Sequence, residues 1–417
     1  MAEPLRQHPP RETAAELAEL YGRLSRWPDV EAENLVAADA ADRLLVDAVL
    51  AALAEEKDAP RIVVFGERYG AMALGLAAAL RTPDEDEAGP AGRQSAGPHG
   101  PGGGPVLVVT DSQVHRSAVF QNAAREGLAE LVAFEDLDGL AAALSGDPFL
   151  AVGAVPRAHA VADEWADAVA RLPGCRALVL AGMVKHLSPG LNTALAESFE
   201  DVAGSRARQK ARLVWCTGPR PGLPQLSFEE RTVHTLDRGL RLTAVGVPGA
   251  FGASRIDPGT RVLLPLLREE LASSTPPRIV DLGCGNGTVS AYAKLVDPEV
   301  SVTATDVSHA AIRSTRLTAA ANGVEVKTMA DDALSSWLDA SEDFIVLNPP
   351  FHLGNTVTED IAVKLFEAAA RVLRPGGTLL AVWNQPLAYS GRLRRIVGPT
   401  ERIGGNRKFQ VTRSIKA

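Results

Sequence analysis

RIVDLGCGNGTVSAYAKLV (Arg278–Val296) reads as a buried strand that runs straight into a glycine-rich turn and then a helix. Its strand is a short Ile/Val/Leu run without polar alternation, the pattern of a strand covered on both faces. Gly283, Gly285 and Gly287 follow at GxGxG spacing. Glycine removes Cβ, so the backbone there can turn sharply and come close to a ligand. Outward from this stretch, SVTATD (Ser301–Asp306), EVKTMA (Glu325–Ala330), DFIVLN (Asp343–Asn348) and GTLLAVW (Gly377–Trp383) are further strand candidates. Helical patterns lie between them, as in HAAIRSTRLTAAAN (His309–Asn322) and DIAVKLFEAAARVLR (Asp360–Arg374). This alternation predicts βαβ units in a mostly parallel, doubly wound α/β sheet.

The first half repeats the layout. RIVVFGERYG (Arg61–Gly70) parallels RIVDLGCGNG, and DPFLAVGAVPR (Asp147–Arg157) parallels EDFIVLNPPFH (Glu342–His352). LPGCRALVLAG (Leu172–Gly182) parallels RPGGTLLAVWN (Arg374–Asn384). The interval from Asp111 to Gly153 is 42 residues, the same as from Asp306 to Asn348. Two tandem Rossmann-like domains from an internal duplication are therefore expected. The boundary is placed in the Pro/Gly-rich GPRPGLPQLSF (Gly218–Phe228), giving domains 1–222 and 223–417, and residues 88–105 read as a disordered Gly/Pro-rich loop.

A chain of 417 residues, 46% hydrophobic, can bury the cores of two such domains, and no apolar run reaches a membrane span. The first thirty residues lack a secretory layout, and three scattered cysteines indicate neither a disulfide framework nor a metal site. A cytoplasmic protein without metal is expected. The net charge of −8 conceals a basic C-terminus, where eight Lys/Arg from Arg392 to Lys416 face one acid, Glu401. Arg206, Arg208, Lys210 and Arg212 form a second basic run. Such patches can hold a polyanion although the total is negative.

The chemistry concentrates in the second half. Asp306 ends the second strand, where a carboxylate can accept from both hydroxyls of a ribose. Asp332 follows the third strand, where it could accept from an adenine amine. The spacing is GxGxG rather than GxGxxG, and no arginine follows Asp306 to hold a second phosphate. With Asp281 just before the turn, this set suits the cationic sulfonium of S-adenosylmethionine (SAM). At the end of the fourth strand stands Asn348-Pro349-Pro350-Phe351. Two prolines fix two φ angles and remove two N–H donors, leaving a rigid turn rich in acceptors. The Asn348 carbonyl and a backbone carbonyl can hold a planar –NH2 group with its nitrogen aimed at an electrophilic methyl. Phe351 can stack on the base that bears the amine.

DLGCGNG, TATD and NPPF together resemble the class I SAM-dependent methyltransferases acting on amino nitrogens. PGAFGASRIDPGTRVLL (Pro248–Leu264), NPPFH and GGNRKFQV (Gly404–Val411) are similar to the bacterial ribosomal RNA guanine-N2 methyltransferases. NLVAADAADRLLVDAV (Asn34–Val49) and GMVKHLSPG (Gly182–Gly190) resemble that family's N-terminal half. The resemblance implies a degenerate methyltransferase-like domain, 1–222, before a catalytic one, 223–417. It assigns Asp281, Gly283, Gly285 and Gly287 to the methionine end of SAM, Asp306 to the ribose and Asp332 to the adenine. Asn348, Pro349, Pro350 and Phe351 would hold the target base, with His352, Arg407 and Lys408 toward the RNA. The implied partner is ribosomal RNA or a ribosomal subunit, met by a monomer.

In the first half, GERYG has the wrong spacing, the strand ends in Phe65 rather than an acid, and Gly153-Ala154-Val155-Pro156 stands where NPPF would be. Asp111 alone is expected to survive. The same amine chemistry would also serve adenine-N6 methylation of RNA or DNA, or glutamine methylation of a protein. A non-catalytic RNA-binding or ribosome assembly factor is a further alternative, opposed by the intact NPPF and DLGCGNG sets. A nicotinamide-dependent enzyme is disfavoured by NPPF.

Overall fold

The computed structural model describes residues 15–31, 35–54, 56, 58–81, 100–273, 278–350 and 356–417. The chain divides into two compact units, Met1–Ser227 and Phe228–Ala417. The division falls at the end of the Pro/Gly-rich stretch, a few residues beyond 222/223.

The first unit contains β1 (Arg61–Phe65), β2 (Val106–Val109), β3 (Val132–Phe134), β4 (Phe149–Ala154), β5 (Cys175–Met183), β6 (Phe199–Gly204) and β7 (Ala211–Pro219). The second opens with a hairpin, β8 (Glu230–Thr235) and β9 (Arg241–Gly246). It continues with β10 (Arg278–Leu282), β11 (Ser301–Asp306), β12 (Lys327–Ala330), β13 (Glu342–Leu347), β14 (Leu373–Asn384), β15 (Thr400–Gly405) and β16 (Phe409–Ile415). Among the described residues the two large sheets have the orders β3-β2-β1-β4-β5-β7-β6 and β12-β11-β10-β13-β14-β16-β15. Both are parallel up to β5 and β14, after which β7 and β16 run antiparallel to those neighbours. The two sheets thus repeat one topology strand for strand, reversed hairpin included.

The central strands β10, β13 and β14 send alternate residues to two cores, as a doubly wound sheet requires. Ile279, Val302, Phe344 and Val346 pack with Leu263, Leu267 and Tyr292 on one face. Val280, Ile345 and Leu347 pack with Phe366, Trp383 and Tyr389 on the other. The β8–β9 hairpin, unpredicted from sequence, docks through side chains. Asp237 accepts from the Tyr292 hydroxyl (2.6 Å) and from Arg268 Nε (2.7 Å). The N–H groups of Thr243, Val245 and Val247 reach Asn322, Thr318 and Ser314 at 2.9, 2.9 and 3.1 Å. The helix His309–Ala321 therefore satisfies an edge that would otherwise be unpaired.

The register corrects two correspondences drawn from spacing. Phe65 pairs with Val109 and Gly153, whereas Leu282 pairs with Thr305 and Leu347. Gly66 donates to Val109 O as Gly283 does to Thr305 O, and Gly70 and Gly287 both cap the next helix in the left-handed region. The counterpart of Asp306 is therefore Thr110, not Asp111, and the counterpart of Asn348 is Ala154, not Gly153. Val64 stands in the place of Asp281. Equal intervals of 42 residues misled because each end was displaced by one residue in opposite directions.

The expected loop 88–105 also needs correction at its end. Residues 88–99 lie outside the described residues, but Pro101–Gly103 forms a 3-10 turn leading into β2. A Cβ on Gly102 would meet Arg61 N at 2.6 Å, and one on Gly104 would meet the Arg61 guanidinium carbon at 2.7 Å. The glycines there permit close packing on β1 rather than looseness. Among the described residues, no helix is long and apolar enough to cross a membrane.

Candidate active site

Because β10, β11, β12 and β13 are parallel, their carboxyl ends gather at one edge of the sheet, where open α/β folds bind ligands. The glycine turn, Asp306, Asp332 and Asn348 meet there. The three glycines have positive φ of 77°, 54° and 76°, yet they do different things. A Cβ on Gly287 would lie 2.7 Å from Thr315 Cα, so Gly287 lets its helix pack against His309–Ala321. At Gly283 and Gly285 a Cβ would meet nothing within 4 Å. Those two positions keep an open cradle that side chains would fill.

Asp306 shapes the cradle. Its two oxygens accept from Gly285 N and Ser308 N, both at 3.0 Å, tying the turn to the end of β11. A carboxylate can accept about four hydrogen bonds, and these two fix the plane in which it does so. Asn286 anchors the turn from behind, donating to Ala253 O and Arg255 O at 2.9 Å each. PGAFGASRID thus serves the glycine turn through the backbone carbonyls of Ala253 and Arg255.

Asp281 is buried, and its Oδ2 accepts from Ser290 N (3.1 Å) and Ser290 Oγ (2.6 Å). Burial raises its pKa to about 6, with Asp306 adding to the rise and the Ser290 bonds opposing it. For folding, this group contributes stability below its unfolded pKa of about 3.9, and that contribution is lost as pH rises through about 6. For a cationic ligand the sign reverses, since protonation removes the attracting charge. Affinity for SAM is expected to fall by up to about tenfold per pH unit below 6. Titration calorimetry between pH 5 and 7.5 checks this, and Asp281→Asn should flatten the profile. A profile unchanged by that substitution would place the titrating group elsewhere.

Asp331 and Asp332 divide their work. Asp331 is buried and caps the following turn, accepting from the N–H and hydroxyl groups of Ser335 and Ser336. Asp332 is met by Lys364 Nζ at 2.7 and 2.6 Å, a partner that spacing alone did not reveal. Cys284 is buried, and burial pushes its thiol well above the usual range, so it is no nucleophile.

At the end of β13, Pro349 is buried and Pro350 exposed. Asn348 Nδ2 lies 3.1 Å from Asp257 Oδ2 and 3.0 Å from Thr260 Oγ1. Asn348 Oδ1 is buried with no hydrogen-bond partner among the described residues. Buried acceptors rarely go unpaired, so an acceptor in this state at the cradle's edge is available to a donor group. Asp257 and Thr260 were missed in the sequence reading. Their signal was the helix start DPGT, an N-cap acid before proline. Phe351 and His352 lie outside the described residues. Among those described, no group of three or more His, Cys, Asp or Glu could hold a metal.

The basic C-terminus is not one patch. Arg413 is held by Glu270 and Glu401, and Arg402 donates to Gly404 O. Arg407 and Lys408 are exposed at the tip of the β15–β16 hairpin. Phe409 pairs with Asn384 at the carboxyl end of β14, so this tip stands at the same sheet edge as Asn348.

The equivalent edge of the first unit is closed. Glu67, in the place of Cys284, is buried and accepts from the backbone N–H of Arg68, Tyr69, Gly70, Met72 and Ala73. A Cβ on Gly66 would meet the Trp165 ring at 3.1 Å. Among the described residues, no acid stands in the places of Asp281 and Asp306, no Asn in that of Asn348, and no open glycine cradle remains.

Comparison with known proteins agrees with this division. Residues 241–413 match the model of the methyltransferase small domain, and residues 12–87 and 103–220 match the RLMG N-terminal domain. The ribosomal RNA large subunit methyltransferase G of Streptomyces coelicolor is 32% identical over 94% of this chain and 97% of its own. That of Streptomyces avermitilis is 33% identical over 94% and 96%. Among solved structures, the T. thermophilus 16S rRNA N2 guanine methyltransferase RsmC, in complex with AdoMet and guanosine, aligns with a TM-score of 0.67. It is 22% identical and covers 96% of this chain and 99% of that one, a likeness of fold. With two SAM-methyltransferase sheets, one closed and one open, and full-length relatives above 30% identity, the chain belongs to the ribosomal RNA large subunit methyltransferase G family.

Proposed function

We propose that the second unit transfers the methyl group of SAM to the exocyclic N2 amine of a guanine in large-subunit ribosomal RNA. The observation that carries this reading is the buried Asn348 Oδ1, unpartnered among the described residues, beside the Gly283–Gly285 cradle. Bound SAM supplies an electrophilic methyl on a sulfonium. Gly283 and Gly285 give it room, Asp306 accepts from its ribose, and Asp332, steadied by Lys364, lies toward the adenine. Asn348 Oδ1 accepts one hydrogen of the target amine and the Pro349–Pro350 turn fixes the approach. The amine nitrogen then faces the methyl without a general base, because the methylated amine is acidic enough to lose its proton to water. Phe351 would stack on the base, and His352 would line its pocket.

An amine inside a duplex is out of reach, so the base is flipped out or caught single-stranded. Arg407 and Lys408, exposed at the hairpin tip, would grip phosphates beside it. Reversing both charges should weaken RNA binding and make its salt dependence shallower by about 0.7 per lost single-strand contact. Affinity and slope both unchanged would leave the hairpin tip merely solvated. The chain is proposed to act as a cytoplasmic monomer, the duplication supplying within one chain the second domain.

The test is nucleoside mass spectrometry of ribosomal RNA from a strain lacking the gene, beside its parent. Loss of one N2-methylguanosine from the large-subunit RNA is expected. Loss of N6-methyladenosine instead would keep the amine chemistry and change the base, and no loss would overturn the reading.

A further inference from the structure

An asparagine side chain has two ends of nearly equal shape, and only one of them can receive an amine. We propose that Asp257 is the positioning residue that decides which end of Asn348 faces the substrate, with Thr260 as the second anchor. The inference rests on the reading that an amine is held at Asn348. A carboxylate accepts and cannot donate, so Asp257 Oδ2, 3.1 Å away, can take only the Nδ2 end. Thr260 Oγ1, at 3.0 Å, takes the second Nδ2 hydrogen. A hydroxyl alone would tolerate either orientation, because it can also donate. A flipped amide would set Oδ1 against Asp257 Oδ2, two acceptors in contact, and would present N–H donors to an amine that needs an acceptor.

Asp257 is itself held. Its Oδ2 also accepts from Gly259 N (2.7 Å) and Thr260 N (3.1 Å) at the first turn of Pro258–Ser273. A Cβ on Gly259 would lie 2.9 Å from that oxygen and 3.3 Å from the Phe409 ring, so glycine is what lets carboxylate and ring sit side by side. One oxygen thus starts a helix and orients the Asn348 amide.

The experiment uses the full chain with ribosomal RNA from the deletion strain. Asp257→Ser keeps a good N-cap, but its shorter side chain no longer reaches Asn348 Nδ2 and leaves only the Thr260 hydroxyl, which tolerates either amide orientation. We expect kcat to fall about tenfold with SAM affinity and melting temperature close to wild type. Asp257→Asn, which keeps one oxygen toward Gly259 N, Thr260 N and Asn348 Nδ2, should stay near wild type. The double variant Asp257→Ser/Asn348→Asp presents an oxygen at either end, needs no orienting partner, and should recover most of the loss. A purely structural cap would not produce that rescue. Wild-type kcat in Asp257→Ser, failure of the rescue in a folded double variant, or loss of SAM binding in the single variant would each overturn the proposal. Side-chain NH2 resonances of Asn348 provide a readout without turnover. They should be protected in the wild type and move in Asp257→Ser, and unmoved resonances would overturn the proposal even if wild-type enzyme methylated no ribosomal RNA. That last failure would instead overturn the proposed function.

Discussion

Asn348→Ala is expected to lower kcat for methyl transfer to ribosomal RNA by on the order of 100-fold or more while leaving SAM affinity unchanged. The variant removes a buried oxygen at the sheet edge that lacks a partner among the described residues, and with it the contact proposed to aim the amine. It touches none of Gly283, Gly285 or Asp306. Stability should fall by less than the lost bonds alone would cost, because two effects are opposed. The two Nδ2 hydrogen bonds are lost, that to the Asp257 carboxylate at about 1.5–3 kcal/mol and that to Thr260 at about 0.5–1.5 kcal/mol. In return an unsatisfied buried carbonyl disappears, a group that costs about 1–3 kcal/mol to leave unmade. Single-turnover assays, calorimetry with SAM and thermal melting separate these effects. Loss of SAM binding together with turnover would mean that Asn348 belongs to the cofactor cradle and that the amine is held elsewhere.

That residue was legible because its chemistry is written in consecutive letters. Asn-Pro-Pro stiffens its own backbone, and a strand ending in it brings the amide to the carboxyl edge of the sheet. The same holds for RIVDLG, whose buried run and glycines are local. What lay beyond the sequence was every relation that the fold creates between distant residues. Asp257 and Asn348 are 91 positions apart and meet only because the helix Pro258–Ser273 begins at the edge where β13 ends. Lys364 reaches Asp332 from a helix that crosses back over the sheet. The β8–β9 hairpin was hidden because the outer edge of β9 is met by side chains of Asn322, Thr318 and Ser314 rather than by another strand. Counting residues between motifs placed the duplication correctly but its correspondences one residue off, since a spacing is blind to where each strand pairs.

The two copies then supply an internal control on what makes a cofactor site. Val64, Thr110 and Ala154 occupy the places of Asp281, Asp306 and Asn348, and Glu67 closes the turn by accepting five backbone N–H groups. A single carboxylate placed one residue early in the loop turns an open cradle into a self-satisfied cap. Topology is thus common to both units, and chemistry resides in a few side chains at one edge.

Asp306→Ala tests the cofactor half of that edge, and it should weaken SAM binding by about 100-fold at the least. Two ribose hydroxyls donating to a carboxylate are each worth about 1.5–3 kcal/mol, so losing both costs about 3 kcal/mol or more. The substitution also frees Gly285 N and Ser308 N, which Asp306 now accepts at 3.0 Å each, so the glycine turn should loosen as well. Asp306→Asn separates the contributions, because it keeps an acceptor for the turn while losing the charge, and its affinity should lie between wild type and alanine. The charge has a second consequence that neither hydrogen bond supplies. Asp306 helps burial to raise the Asp281 pKa, so either substitution should move the acid limb of SAM binding from about 6 toward lower pH. A weaker affinity without that displacement would show that the two carboxylates do not share a field, and an unchanged affinity would move the ribose site off β11 altogether. If both effects appear together, Thr110 of the first unit is the naturally substituted counterpart. Introducing a carboxylate there should still fail to recruit SAM, because Glu67 and Trp165 already occupy the space.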